Sequence, residues 1–134
     1  MQRVWVLLRD YRSARPRLLT GHFAGYAVQR GGDGAGTVIE FALRVRRRER
    51  SYVVAVEEPA PGRQLRERAR GSALVTTWTL TPGGEGERTV VRLAVQLRDP
   101  DVRGWWARRH ARRGLRRLYG QLLARLDRHL AAGR

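Results

Sequence analysis

The 134-residue sequence contains no cysteine and no lysine; all 28 of its basic residues are arginines. Without cysteine there is no disulfide, no thiolate zinc site and no cysteine nucleophile. Methionine occurs once and aromatic residues make up 7% of the chain. No apolar run approaches the roughly 18 residues of a membrane span. The N-terminus lacks the apolar stretch and small-residue cleavage site of a secretory signal, which makes the cytoplasm the expected compartment. Acidic residues are also few, 12 in all, and the formal net charge is +16. A surface of that sign attracts phosphates, whether of nucleic acid or of an anionic membrane. The complete preference for Arg over Lys has a plainer source, since both carry the same charge. Beside abundant Gly and Ala it points to a GC-rich genome. The shortage of acids is not explained that way, so the basic surface stands in either case.

What is present is enough for one modest core. Hydrophobic residues make up 42% of the chain, and the length fits a single domain spanning 1–134. Gln2 to Arg9 reads as a short helix with Val4, Trp5, Leu7 and Leu8 on one side. Arg12 to Leu19 reads as a second short helix or turn, interrupted at Pro16. From His22 to Leu97 the pattern becomes strand-like, with turn residues about every ten positions. The expected strands are His22–Arg30, Thr37–Arg46, Ser51–Glu57, Arg63–Ala69, Ala73–Leu80 and Arg88–Leu97. Gly31–Gly34, Arg47–Glu49, Pro59–Gly62 and Pro82–Gly86 separate them, and such short connections imply an antiparallel meander. Asp99-Pro100-Asp101 offers a helix cap. From Val102 to about Ala131 the period is helical, with Leu115, Leu118, Tyr119, Leu122, Leu126 and Leu130 in one stripe.

One helix is about 10 Å wide, while six strands at about 4.8 Å each make a much wider sheet. The sheet must therefore curl around the helix, and a curled sheet gripping one helix leaves a gap between them. Such gaps are typical ligand sites.

Several local sequences resemble a known family. Val4-Trp5-Val6-Leu7-Leu8-Arg9-Asp10-Tyr11 is similar to the opening motif of the START-like, or SRPBCC, superfamily, in its polyketide cyclase/dehydrase and lipid transport branch. Gly31-Gly32 with Gly36-Thr37, Glu57 to Gly62, Trp78-Thr79-Leu80-Thr81-Pro82 with Glu87-Arg88-Thr89, and the Leu-rich terminal helix follow in matching order. The resemblance implies an α+β helix-grip fold. In it a curved antiparallel sheet of about six strands wraps a long C-terminal helix, and two short N-terminal helices help to close the gap. It implies a cavity for a hydrophobic or amphipathic small molecule and does not imply catalysis. The usual first strand of that fold finds no place before Gln2, so the domain is expected to be truncated at its N-terminus. The edge of Arg88–Leu97 would then be open to weak homodimerisation.

Candidate cavity-lining residues are Phe41, Leu43, Tyr52, Val54, Trp78, Leu93 and Tyr119, which lie on the apolar parity of their strands or on the helix stripe. Core packing alone would put them there too. Arg108 falls near the centre of the helix stripe when counted at about 100° per residue. It could bind an anionic ligand head, pair with Glu67 or Glu40, or snorkel outward. His22, His110 and His129 are too scattered for a metal site, and Ser13, Ser51 and Ser72 have no nucleophile-elbow context. No metal, cofactor or catalytic constellation is expected. Trp105 and Trp106 beside a run of arginines could touch RNA, the ribosome or an anionic membrane surface, although no familiar nucleic-acid motif accompanies them. The expected function is binding or transport of a polyketide-like, isoprenoid or lipid molecule. An aromatase/cyclase-type enzyme of the same fold and an Arg-rich surface binder are the alternatives.

Overall fold

The computed structural model describes residues 2–19, 21–45, 48–70, 74–83, 88–97 and 105–132. Within these, side chains are not described at 45, 48, 88, 97, 105–116, 118 and 132. Two short helices, α1 (Gln2–Arg9) and α2 (Ala14–Leu18), precede six strands and a long terminal helix. The strands are β1 (Phe23–Arg30), β2 (Val38–Val45), β3 (Arg48–Ala60), β4 (Gln64–Ala69), β5 (Leu74–Gly83) and β6 (Arg88–Leu97). Helix α3 runs from Trp105 to Ala132.

The strands form one antiparallel sheet in sequence order, β1 to β6. Strict alternation sends Ile39, Phe41 and Leu43 of β2, Tyr52, Val54 and Val56 of β3, and Leu65, Glu67 and Ala69 of β4 to the inner face, where all are buried. Leu74, Thr76, Trp78 and Leu80 do the same from β5. Tyr119, Leu122 and Leu126 of α3 are buried against this face, and Leu130 is half-buried. Arg117 of the same helix is exposed. Val4, Trp5 and Leu8 bring α1 into the same core. No described helix is long and apolar enough to cross a membrane.

The main departures from the sequence expectation are at element ends. Helix α2 begins at Ala14 and passes through Pro16 without a break. Pro16 lies in the first turn, where a missing N–H leaves no helical hydrogen bond unmade. Strand β3 starts at Arg48 and continues to Ala60, so it takes in part of the expected polar tip and the expected loop residues Pro59 and Ala60. Strand β5 likewise continues through Pro82 to Gly83. Its partner β6 is long enough to keep pairing there, Pro82 with Thr89 and Gly83 with Arg88. The expected cap at Asp99–Asp101 lies outside the described residues. Beyond β6 no further strand is paired among the described residues, and Val90 on β6 is exposed.

Two features fix the corner that carries α1 and α2. The Gly31–Thr37 turn hooks onto the end of α1 through main-chain bonds. Tyr11 N–H donates to the Gly32 carbonyl at 2.9 Å and Gly34 N–H donates to the Arg9 carbonyl at 2.9 Å. Gly34 sits at φ 65°, where a Cβ would collide with the Arg9 and Glu58 side chains, so glycine meets both a backbone and a space requirement. Arg9 spans Asp33 at 3.5 Å and Glu58 at 3.4 Å over the same turn.

Candidate functional site

A cavity lies between the sheet and α3, with about 460 Å³ of empty space when its open mouth is included. Its enclosed part has room for about two water molecules. Ile39 and Phe41 of β2, Val54 of β3 and Leu74 of β5 form the sheet wall, and Leu122 with Tyr119 forms the helix wall. Leu19, Phe23 and Tyr26 also line it and are only half-buried, so they mark the open side next to the α2–β1 link. Phe23 packs on Phe41 with ring centroids 5.3 Å apart and meets Tyr119 edge-on at 6.4 Å.

Regular alternation would place Phe23 and Tyr26 on opposite faces of β1. The register shifts between Ala24 and Ala27, and Gly25 sits in the left-handed region at φ 61°. This bulge inserts an extra residue and turns both aromatic side chains toward the cavity.

The closed end of the cavity is polar. Glu67, on the inward face of β4, accepts from the Tyr11 hydroxyl at 2.8 Å and from the Trp78 indole N–H at 2.6 Å. The Arg15 guanidinium lies 3.4 Å from the same carboxylate and is 5% exposed. Arg15 Nε donates to the Leu8 carbonyl at 2.9 Å, and the guanidinium lies over the rings of Trp78 and Tyr11 at 4.6 and 4.9 Å. Burial by itself would favour the uncharged form of Arg15, but the Glu67 carboxylate and neighbouring tyrosine oxygens outweigh it and raise the pKa. Tyr26 donates from its hydroxyl to the Tyr11 carbonyl at 2.6 Å. The Tyr119 hydroxyl lies 3.5 Å from Thr76 Oγ1.

These phenols are harder to ionise than free tyrosine. Burial pushes Tyr11 well up, with the Glu67 carboxylate adding to it. Burial likewise raises Tyr26, and it pushes Tyr119 up to about 12. At neutral pH they are hydrogen-bond donors or acids, not bases. The only carboxylate among the described lining residues already receives two hydrogen bonds and faces the Arg15 guanidinium in an ion pair. The arrangement can therefore hold a ligand by burial and donate hydrogen bonds to it, but it has no free general base among the described lining residues.

Of the residues singled out in the sequence, Phe41, Val54 and Tyr119 line the cavity. Leu43, Tyr52 and Trp78 are buried in the surrounding core, and Leu93 is half-buried against it. Trp78 reaches the polar end only through its bond to Glu67. Arg108 belongs to α3, but its side chain lies outside the described residues, as do those of Trp105, Trp106 and His110. The described partners of Glu67 are Arg15, Tyr11 and Trp78, while the exposed Glu40 accepts from Gln29 at 2.6 Å. The sequence reading missed Arg15, Tyr11, Tyr26 and Thr76 as site residues. Thr76 shares parity with Leu74 and Trp78 and could have been found. Arg15 sits between Ala14 and Pro16 in a five-residue helix too short to show a period, and carries no such signal.

Residues 1–131 match the model of a protein family described as polyketide cyclase/dehydrase and lipid transport, and the chain belongs to that family. Two solved structures share its fold. The solution structure of the KanY protein superposes with a TM-score of 0.83 at 32% identity, covering 96% of this chain and 87% of that one. The crystal structure of TTHA0849 from Thermus thermophilus superposes with a TM-score of 0.74 at 21% identity, covering 98% and 90%. No curated protein sequence matches the chain.

Proposed function

We propose that this family member binds, and thereby sequesters or carries, a small hydrophobic molecule in the cavity between the sheet and α3. The observation that carries the reading is the cavity itself: apolar walls from β2, β3, β5 and α3, a half-buried aromatic mouth and a polar closed end. Burying apolar ligand surface there supplies roughly 25 cal/mol per Å², and the polar end sets orientation. The family's pairing of polyketide chemistry with lipid transport fits such a ligand. A cyclase would need a base to move a proton from carbon, and Glu67 is engaged by Tyr11, Trp78 and Arg15. Binding without turnover is therefore the reading the geometry favours.

Native mass spectrometry of freshly purified protein tests it. A co-purifying small apolar molecule, displaced by an added apolar dye, is the expected result. Protein that stays empty and takes up no apolar dye, yet binds RNA in a salt-sensitive way, would replace this reading with that of a basic surface binder.

A further inference from the structure

The face of the sheet turned away from α3 takes no part in the cavity, and its charge is of one sign. Alternation sends Leu65, Glu67 and Ala69 of β4 inward, so Arg66 and Arg68 point outward. Arg70 continues the row past the strand end, where its N–H still donates to the Val53 carbonyl at 2.8 Å. Residues two apart on a strand lie about 6.8 Å apart, close to the separation of successive phosphates in a nucleic-acid strand. Arg92 of β6 adds a guanidinium two strands away, about 9.6 Å across the same face. Among the described outward residues of β4, β5 and β6 there is no carboxylate. Glu57 of β3 reaches Arg68 at 3.5 Å, but both side chains are about half exposed, and such a pair holds weakly. Arg66, Arg70 and Arg92 have no hydrogen-bond or ion-pair partner among the described residues. By contrast, Arg3, Arg12 and Arg125 beside the helices are tied to main-chain carbonyls.

What lies between the arginines selects the partner. Register places Thr77, Thr79 and Ala94 there, all small. No described aromatic residue points outward from these strands, so the bases of a single strand have nothing to stack on. Val90 is the one exposed large apolar side chain described on this face, at one end of it, and a bilayer would call for a broader apolar surface. The sheet curves around α3, so the face is convex. The minor groove of an RNA duplex is wide and shallow and displays 2′-hydroxyls between its phosphates. That of B-DNA is only about 6 Å wide and admits no sheet face. The Thr77 and Thr79 side chains carry hydroxyls suited to the RNA groove.

We propose that the outer face of β4–β6 docks double-stranded RNA without regard to sequence, through guanidinium–phosphate contacts from Arg66, Arg68, Arg70 and Arg92. A fluorescein-labelled RNA duplex, followed by fluorescence anisotropy over a series of salt concentrations, tests it. In the triple variant Arg66→Gln, Arg70→Gln, Arg92→Gln the affinity is expected to fall at least ten-fold. The slope of log affinity against log salt should flatten by about 2.7, at about 0.9 for each lost phosphate contact as in B-DNA. The triple variant Arg17→Gln, Arg117→Gln, Arg128→Gln removes the same charge from exposed positions on α2 and α3, and its affinity is expected to stay within three-fold. Uptake of an apolar dye by the cavity should be unchanged in both, which separates this face from the cavity reading. Equal losses in the two variants overturn the docking face in favour of a diffuse effect of net charge. A DNA duplex of the same sequence bound as tightly as the RNA overturns the choice of partner. Tighter binding to vesicles containing phosphatidylserine, lost in the sheet variant, overturns it in favour of a membrane. If the sheet variant does not fold, Arg70→Gln and Arg92→Gln alone should each flatten the slope by about 0.9, and an unchanged slope in both overturns the proposal. Unaltered protein that binds no RNA duplex at low salt overturns it outright.

Discussion

Replacing Glu67 by glutamine changes one buried oxygen to an amide and strands a buried cation. In the native fold the Arg15–Glu67 contact is 3.4 Å with both side chains nearly excluded from water. At that distance the attraction is about 5 kcal/mol for an effective dielectric constant of roughly 20, offset by the desolvation of both ions. The variant keeps the desolvation of Arg15 and loses the attraction. The amide also cannot accept from both the Tyr11 hydroxyl and the Trp78 indole, as the carboxylate does at 2.8 and 2.6 Å. A loss of about 3–5 kcal/mol is expected, a large part of the roughly 5–15 kcal/mol that stabilises a domain. The paired variant with Arg15→Met removes both charges and leaves an amide donor and the Leu8 carbonyl without partners, a cost of about 1–3 kcal/mol each. Arg15→Met alone strips the cation from Glu67 and a donor from the Leu8 carbonyl, and should cost about 3 kcal/mol. Urea denaturation followed by tryptophan fluorescence and far-ultraviolet circular dichroism measures all three, provided the denaturant slope is unchanged. The coupling should then be several kcal/mol. Additivity within about 0.5 kcal/mol, or a single-variant loss for Glu67→Gln below about 1 kcal/mol, would refute the claim that the pair acts as a unit.

Other outcomes follow from the same geometry. The buried phenols have folded pKa values above their unfolded ones, so their contribution is fully present below about pH 10 and is lost as pH rises through the folded values. For Tyr119, pushed up to about 12, this removes about 3 kcal/mol between pH 10 and 12; denaturation midpoints that stay flat over that window would contradict it. Leu122→Ala should destabilise by about 2–5 kcal/mol and enlarge the cavity, so that bulkier apolar dyes bind better in a displacement titration. Gly34→Ala combines a positive φ with a Cβ pressed on Arg9 and Glu58 and should cost about 1–3 kcal/mol, read as a lowered thermal midpoint. The edge of β6, to which no strand is paired among the described residues, with Val90 exposed, should support weak self-association; a clean monomer at every concentration in size-exclusion chromatography would count against it.

Much of the sheet is legible in the sequence because alternation in Ile39–Val45 and Leu74–Leu80 leaves few choices of inward face. Glu67 shares parity with Leu65 and Ala69, so its burial is readable, but its partners are not. Arg15 reaches it from a short helix whose position depends on the hook between Gly31–Thr37 and α1, a contact between distant parts of the chain. Tyr26 is hidden for a different reason: the bulge at Gly25 breaks the period on which an inward assignment relies. Phe41, Val54 and Tyr119 are found because wall residues follow periodicity. Tyr11 and Arg15 belong to the end of the cavity, where position is set by a corner and not by a repeat. Arg108, chosen from the helix count, has its side chain outside the described residues, whereas the described cation beside Glu67 is Arg15.

The glycine turn that grips α1 has an evolutionary consequence. It holds Tyr11 and the end of α1 through main-chain bonds, Tyr11 N–H to the Gly32 carbonyl and Gly34 N–H to the Arg9 carbonyl, and Arg15 N–H in turn donates to the Asp10 carbonyl at 3.0 Å, so the position of the polar end is set by backbone contacts outside the cavity walls. The shape of the walls and the placing of the polar end are thereby separable traits. Substitutions at Ile39, Phe41, Val54 or Leu122 would reshape the cavity walls while Tyr11, Arg15 and Glu67 keep their places. A lineage could in this way change the size of the cavity without rebuilding its polar end.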